Sequence, residues 1–201
     1  MRFAVAIYLV RHGETNWNSI RRLQGLRDVG LNSVGVMQAI NLARRFRSLR
    51  LATIITSPLS RASVTGMRIR GSHQVPVIAE NDLREIDHGH WTGMTPLEIA
   101  QESPEEHAAW KYEPDSFRPS SGERLRSVYF RAERVLVRVL KTDFRNDVVI
   151  VSHGVVNAVL LCAALAKPLA KIWEIPQPNA SAYVFRIDRH RIVEVEDLGH
   201  V

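Results

Sequence analysis

Short apolar runs alternate with longer amphipathic segments along this chain, and that alternation restricts its fold more than any other feature. The run at residues 3–10 contains β-branched residues and is too short for a typical helix, so it predicts a strand buried on both faces. Three further strands are predicted at residues 51–56, 75–79 and 148–151. Helices are predicted over residues 34–49, 57–70, 125–140 and 154–165, and residues 95–110 are predicted to be helical with a break at Pro104. The expected fold is a three-layer α/β/α sandwich, with a mostly parallel central sheet and helices on both faces.

No internal repeat or linker divides the chain, so residues 1–201 are predicted to form one domain. Residues 94–122 are irregular, and we expect them to form a small cap insertion of helix and loop over one edge of the sheet. The tail, at residues 182–187 and 192–195, predicts a hairpin or edge strands.

Three helix starts carry capping signals. Asn32 or Ser33 is placed to cap the helix that follows them. Ser57, with a proline directly after it, predicts the N-cap of the next helix. Ser120 and Glu123 form a capping-box pattern before the long helix.

The composition indicates a globular protein. Hydrophobic residues make up 45% of the chain, and no charge block or low-complexity tract interrupts it, which argues against disorder. Every apolar run falls well short of the roughly 18 residues that a membrane-spanning helix needs, and the first run lacks a signal-peptide cleavage site. Cys162 is the only cysteine, so no intrachain disulfide can form. We expect a cytoplasmic protein without a membrane partner.

Positive charge is concentrated in the first third of the chain. The formal net charge is +6, and residues 1–70 hold twelve arginines against two acidic residues. Arginine suits bidentate binding of phosphate or carboxylate, so a small anionic partner is expected. A sequence pI of about 10.0 also raises nucleic-acid binding, but an ordinary solvated face better explains the basic long helix, including Arg131. We therefore expect no nucleic-acid partner, and either a monomer or a homodimer.

Polar residues follow the predicted strands, where sheets of this class place their functional groups. The four junctions are Arg11-His12-Gly13, Ser57 to Arg61, Arg84-Glu85 and Ser152-His153-Gly154. Two of them share one form, an apolar strand followed by His-Gly, and glycine allows close approach of the backbone. A single histidine of this kind is more often structural, but the pair indicates two imidazoles that face one crevice.

The junctions belong to a series of motifs that runs along nearly the whole chain. The motifs are Arg11-His12-Gly13-Glu14-Thr15-Asn16-Trp17-Asn18, Gln24-Gly25 with Asp28 and Leu31, Ser57-Pro58-Leu59-Ser60-Arg61-Ala62 with Thr65, Leu83-Arg84-Glu85-Ile86-Asp87 with Gly89, Trp91 and Gly93, Ser121-Gly122-Glu123, and Val151-Ser152-His153-Gly154. In their order and spacing they resemble the histidine phosphatase superfamily, the phosphoglycerate-mutase-like proteins. The resemblance implies phosphoryl transfer through a phosphohistidine, without a metal or a cofactor.

The resemblance also implies a role for each matched residue. His12 is the expected nucleophile, with its second ring nitrogen donating to a backbone carbonyl. Arg11 and Arg61 are expected to bind the phosphoryl oxygens, with His153 as a third, protonated donor and Asn18 as a neutral one.

Glu85 is the candidate general acid, which protonates the leaving oxygen and then activates water, and Asp87 is a weaker rival for that role. The remaining candidate substrate contacts are Gln24, Gly25 and Gly154, together with Arg21 and Arg22 for a second anionic group. His88 and His90 have a spacing that metal ligands can use. No matching cysteine or carboxylate cluster accompanies them, so no metal site is predicted.

Phosphatase and mutase differ in what attacks the phosphohistidine next. A mutase needs a longer cap with extra cations, but only 67 residues separate Glu85 from His153, and residues 95–122 are net acidic. We therefore predict a metal-independent phosphomonoesterase for a small phosphorylated metabolite, similar to the short broad-specificity and α-ribazole-phosphate phosphatases of the family. The alternatives are a cofactor-dependent phosphoglycerate mutase and a non-catalytic domain that binds phosphoryl ligands or has a regulatory role.

Overall fold

A six-stranded sheet lies at the centre of the protein. The structure, a computed structural model, describes residues 5–71 and 73–201. The strands are β1 (Val5–Arg11), β2 (Leu51–Thr56), β3 (Val77–Ala79), β4 (Asp147–Ser152), β5 (Ala182–Asp188) and β6 (Arg191–Asp197). Their order is β3-β2-β4-β1-β5-β6; the first four are parallel, and β5 and β6 pair antiparallel. The predicted mostly parallel sheet is confirmed. Residues 3 and 4 of the first predicted strand lie outside the described residues.

Seven α-helices are found in the described ranges, 5–71 and 73–201. They are α1 (Asn16–Ser19), α2 (Ser33–Phe46), α3 (Ser60–Arg70), α4 (Pro96–Glu102), α5 (Pro104–Tyr112), α6 (Leu125–Lys141) and α7 (Gly154–Ala164). Short 3₁₀ turns lie at Asn81–Leu83, Gly89–Trp91 and Leu169–Glu174. In this described part of the chain, no helix has both the length and the apolar character needed to cross a membrane.

Apolar side chains cover both faces of the sheet. Consecutive residues of a strand point to opposite faces, so Ile150 of β4 joins Val135 of α6 in one buried cluster, while Val149 joins Leu42 of α2 in another. Full burial of each such side chain stabilises the fold by roughly 1.5–3 kcal/mol. Helices therefore pack on both faces, and the predicted three-layer sandwich is confirmed.

Two of the predicted helix caps are wrong. The helix α3 begins at Ser60 without a side-chain cap, because the Ser57 hydroxyl instead lies 2.8 Å from His153 Nε2. The helix α6 begins at Leu125, also without a side-chain cap, because the Glu123 carboxylate binds a side chain of α6 itself. The prediction for α2 is confirmed, since the Asn32 side chain accepts from the backbone of Gly35 at 2.8 Å. Local cap patterns thus give way where a distant partner competes for the side chain.

Residues 94–122 comprise α4, α5 and an irregular loop, and aromatic rings attach this segment to the rest of the protein. The Trp91 and Phe117 rings stack with centroids 5.2 Å apart, and the Trp110 and Trp173 rings meet edge to face at 4.8 Å. Aromatic pairs of these geometries are favourable beyond their buried area. The segment is therefore held beside the 3₁₀ turn that contains Trp173.

Candidate active site

The carboxyl ends of β1, β2 and β4 meet at one level. Arg11 pairs with Ser152, and Thr56 pairs with Val151, so the residues after each strand converge. The rings of His12 and His153 consequently lie with centroids 5.1 Å apart. The two imidazoles therefore lie in contact with each other at the ends of neighbouring strands.

A cleft of about 380 Å³ opens at this edge of the sheet. The candidate residues that line it are Arg11, His12, Asn18, Arg22, Gln24, Gly25, Arg61, Glu85 and Gly154. His153 lies against His12 and is fully buried. Arg21 is exposed and does not belong to the lining described for this cleft. The geometry thus assembles the predicted site, apart from Arg21.

His12 is held in one tautomer. Its Nδ1 lies 2.6 Å from Gly13 O, and a carbonyl oxygen only accepts, so Nδ1 carries the proton and Nε2 keeps its lone pair. The side chain is 2% exposed. Burial, reinforced by the charges of Arg11 and Arg61, holds the pKa of His12 well below 6.5. His12 is therefore a neutral imidazole with a free nitrogen lone pair, as a nucleophile requires.

The loop that carries His12 packs directly on the start of α2, and this contact requires glycine. A Cβ on Gly13 would lie 2.4 Å from Gly35 O, and one on Gly35 would lie 2.0 Å from Glu14 O. Both distances are shorter than any real contact, so larger residues would push the loop out of place. The helix α2 thus sets the position of the loop after β1.

Two buried guanidinium groups lie beside His12. Arg61 is 1% exposed and donates to the carbonyls of Arg27 and Gly25 at 2.8 and 2.9 Å. Burial lowers the pKa of Arg61 to about 10, although the negative charge of Glu85 acts to raise it. Burial also lowers the pKa of Arg11. The Nε atoms of both arginines are buried and lack a hydrogen-bond partner within the described part of the chain. With a pKa of about 10, Arg61 stays charged at neutral pH, and two adjacent guanidinium groups suit an anion with several oxygens.

His153 is neutral in this arrangement. Burial, followed by the charge of Arg61 and with a further contribution from Arg11, holds its pKa well below 6.5. Its Nε2 lies 2.8 Å from the Ser57 hydroxyl, while its buried Nδ1 has no hydrogen-bond partner in residues 5–71 and 73–201. A neutral imidazole still has one N–H to donate, and a protonated His153 beside a bound phosphoryl group stays a prediction.

The Glu85 carboxylate faces the cleft from the segment after β3. Its Oε1 accepts from Ile86 N at 3.0 Å, and its Oε2 accepts from Val155 N at 3.3 Å, at the start of α7. The rival candidate, Asp87, bonds to Gly89 N at 2.9 Å, and the described lining of the cleft does not include it. Geometry therefore favours Glu85 over Asp87 as the carboxyl group that reaches the reacting end.

The chain matches the family model described as Histidine phosphatase superfamily (branch 1) over residues 7–197. It belongs to this superfamily. The chain is 38% identical over 189 residues to a protein named phosphoserine phosphatase 1 from Hydrogenobacter thermophilus, covering 94% of this chain and 90% of that protein. It is also 35% identical to a probable phosphoglycerate mutase from Proteus mirabilis, over 81% of this chain and 75% of the other. The structure of YhfR from Bacillus stearothermophilus superposes with a TM-score of 0.91 at 35% identity, covering 98% of both chains.

Sequence reasoning missed Asn179 in this histidine phosphatase site. The Asn179 amide donates to His12 O at 3.3 Å and to Asn18 Oδ1 at 3.2 Å. Asn18 Oδ1 also accepts from Thr15 N at 3.1 Å, which leaves the Asn18 amide nitrogen free to donate into the cleft. Asn179 sits in a turn after Pro178, where asparagine is common for local reasons, so no signal in the sequence marks it.

Arg131 was also missed. The sequence assigned it to a solvated face of α6, but its side chain is only 14% exposed. It pairs with Glu123 at 2.9 Å and donates to Glu85 O at 3.1 Å, directly behind the candidate acid. Helical spacing alone does not separate an arginine that faces water from one that faces the backbone of a neighbouring segment.

The outer wall of the cleft is largely apolar. It includes Trp110, Ile172, Trp173 and Ile175. Arg22 lies at the rim, where it donates to Gly93 O and lies 3.7 Å from the Glu98 carboxylate. The second cationic contact predicted from the sequence is thus already engaged by protein groups.

His88 and His90 do not act together. His88 is buried with its ring centroid 6.1 Å from that of Trp110, whereas His90 Nε2 lies 3.6 Å from Glu106. Among the described residues, no group of three or more His, Cys, Asp or Glu side chains is arranged to hold a metal ion. The two imidazoles therefore have separate surroundings.

Proposed function

We propose that this protein is a metal-independent phosphomonoesterase that passes the phosphoryl group of a small phosphorylated metabolite to His12 and then to water. The observation that carries the proposal is the fixed His12 tautomer beside two buried guanidinium groups at one end of a cleft. Phosphoryl transfer needs an in-line nucleophile, positive groups around the equatorial oxygens and a proton for the leaving oxygen. In this proposal His12 is the nucleophile, Arg11 and Arg61 are the positive groups, and Glu85 gives the proton.

In the first step, the lone pair of His12 Nε2 attacks phosphorus and the bond to the ester oxygen breaks. Arg11, Arg61 and His153 donate hydrogen bonds to the non-bridging oxygens. Glu85, in its protonated form, gives its proton to the leaving oxygen and becomes a carboxylate. The products are a phosphohistidine and an alcohol.

In the second step, the Glu85 carboxylate takes a proton from water, whose oxygen attacks phosphorus. The bond between phosphorus and Nε2 breaks, and His12 regains its lone pair while inorganic phosphate leaves. Glu85 is protonated again and ready for the next ester. Atoms and protons balance over the two steps, and no metal is needed for charge neutralisation.

Water is favoured over a second substrate as the acceptor. A mutase must hold a phosphorylated intermediate while it reorients, which calls for additional cations in the cap. Residues 94–122, which we propose act as that cap, contribute Trp110 to the cleft and Glu98 to its rim. The one further cation of the described lining, Arg22, already pairs with Glu98. These features support a phosphatase over the mutase alternative.

The first substrate to test is phosphoserine, because the relative with 38% identity over nearly its full length is named a phosphoserine phosphatase. Sugar phosphates, phosphoglycerates and aryl phosphates complete the panel. We also propose a cytoplasmic location, which the buried, unpaired Cys162 supports.

The deciding experiment measures hydrolysis of para-nitrophenyl phosphate in excess chelator, for the parent protein and for His12→Ala. We expect unchanged activity in chelator and its loss in the variant. Rapid quenching should trap an acid-labile, alkali-stable phosphoryl group on the parent protein. Activity that survives His12→Ala would exclude the nucleophile, and activity abolished by chelator would exclude the metal-free mechanism. Transfer to a second phosphoglycerate faster than phosphate release would establish the mutase instead.

A further inference from the structure

A single arginine of α6 gathers the backbone around the candidate acid. Arg131 Nη1 donates to Asp82 O at 2.7 Å and also to Arg84 O, and Nη2 donates to Glu85 O at 3.1 Å. A planar guanidinium with five donors can satisfy all three carbonyl oxygens at once. Arg131 therefore holds together a stretch of chain that would otherwise separate.

A carboxylate fixes the guanidinium in turn. Glu123 accepts from Arg131 Nε and Nη2 at 2.9 and 3.0 Å. The backbone N–H of Glu123 donates to Asp87 O at 2.8 Å, on the far side of Glu85. The Arg131–Glu123 pair thus braces the chain on both sides of the acid.

The Glu85 side chain depends on this bracing. Its carboxylate is bonded to the backbone N–H groups of Ile86 and Val155, and it has no side-chain hydrogen-bond partner in the described residues. Its place in the cleft therefore follows the placement of its own backbone. A displacement of about 1 Å in a catalytic group can cost roughly 10²-fold in rate.

We propose that Arg131 is a positioning residue for the acid chemistry of Glu85. The inference rests on the proposed function, in which Glu85 protonates the leaving oxygen. Arg131 does not touch the substrate; it acts through the carbonyls of Asp82, Arg84 and Glu85. The role is specific to proton transfer, so it can be separated from a general contribution to folding.

Leaving groups of different basicity provide the test. An alkoxide must be protonated as it leaves, whereas a nitrophenolate leaves without help. In Arg131→Gln, kcat/KM for an alkyl phosphate should fall on the order of tenfold or more, while kcat/KM for para-nitrophenyl phosphate stays within about threefold of the parent. The matched control is Arg134→Gln, which removes the same charge from α6 and breaks a surface pair with the Asp82 side chain at 3.0 Å. That control should leave both values near those of the parent.

Glu85→Gln serves as the reference variant. Glu85→Gln should lose kcat/KM selectively for the alkyl phosphate. If it does so, but in Arg131→Gln kcat/KM falls equally for both substrates or for neither, the positioning role is refuted while the proposed function stands. If Glu85→Gln shows no selectivity, the acid assignment itself fails. Should Arg131→Gln not fold, Arg131→Lys keeps the positive charge without the planar fork and should show the same selective loss; equal loss of both substrates in Arg131→Lys would also refute the positioning role.

Discussion

Replacement of Arg61 by methionine should lower activity strongly and stability moderately. The guanidinium is buried, and burial lowers its pKa from 12.5 to about 10. At 1.36 kcal/mol per pKa unit, keeping the group charged inside the fold costs about 3 kcal/mol. Hydrogen bonds from the charged donor to Arg27 O and Gly25 O act in the opposite direction, at roughly 1.5–3 kcal/mol each. Together the two bonds contribute about 3–6 kcal/mol against a cost of about 3 kcal/mol, so Arg61→Met should lower the free energy of unfolding by no more than about 3 kcal/mol.

The same substitution removes a preorganised donor from the phosphoryl end of the cleft. Loss of one such donor typically costs roughly 10²–10³ in rate. We therefore expect kcat/KM for para-nitrophenyl phosphate to fall by at least about 100-fold in Arg61→Met. Inorganic phosphate should raise the Tm of the parent protein through binding to the folded state, and this shift should disappear in the variant.

Urea unfolding, hydrolysis kinetics and the Tm shift with phosphate together check the reasoning. Arg68→Met is the matched control, because Arg68 is an exposed arginine of the same helix. The control should match the parent in all three measurements. Arg61→Met activity within about tenfold of the parent would refute the phosphoryl-binding role. A stability loss above about 5 kcal/mol would refute the balance between buried charge and hydrogen bonds.

Four further predictions concern the histidines and the loop that carries them. The free energy of unfolding should fall as the pH is lowered below about 6.5, because His12 and His153 have depressed pKa values in the folded state and the unfolded chain takes up those protons first. Urea titrations at several pH values measure this slope, and a double variant, His12→Asn with His153→Asn, should flatten it. Gly13→Ala places a Cβ 2.4 Å from Gly35 O, so both Tm and kcat/KM should decrease. Asn179→Ala removes the bonds to His12 O and Asn18 Oδ1, so the free energy of unfolding should fall by roughly 2 kcal/mol, at about 1 kcal/mol for each lost hydrogen bond. The freed Asn18 side chain should also lower kcat/KM; an unchanged kcat/KM would contradict the role given to Asn179. Binding of phosphate near pH 7 should draw a proton onto His153. Calorimetry in two buffers of different ionisation enthalpy measures the proton uptake, and His153→Asn accounts for the proton that phosphate itself exchanges; equal uptake in the parent and the variant would contradict the prediction.

Much of the site could be predicted because its main residues follow buried strands. The apolar sequences of β1 and β4 make both strands recognisable, and His12 and His153 directly follow them. Parallel neighbours end at the same edge of a sheet, and this rule alone brings the two histidines together. The information is local to each strand end, which is why pattern reasoning finds it.

The rest of the site depends on contacts between residues far apart in the chain. Asn179 reaches Asn18 across 161 positions, and Arg131 reaches Asp82 across 49. Neither residue differs locally from an ordinary turn asparagine or helix arginine. For Ser57 the local pattern gives the wrong answer, because its sequence context favours an N-cap. Its hydroxyl lies 2.8 Å from His153 Nε2 and 3.3 Å from Leu59 N, so the distant partner is the closer one. The tertiary structure determines the hydrogen-bond partners of such side chains, and these partners cannot be inferred from local patterns in a single sequence.

The depressed pKa of His153 is compatible with a role as hydrogen-bond donor to the phosphoryl group. Burial and the charges of the neighbouring guanidinium groups depress the pKa of His153. A phosphoryl group bound beside Arg11 and Arg61 places two negative charges within a few ångströms of the ring, and an opposite charge at that distance raises a histidine pKa. The same anion relieves the repulsion between the two buried arginines. We therefore expect substrate binding to favour the protonated form of His153, which would then act as a third cationic donor to the phosphoryl group.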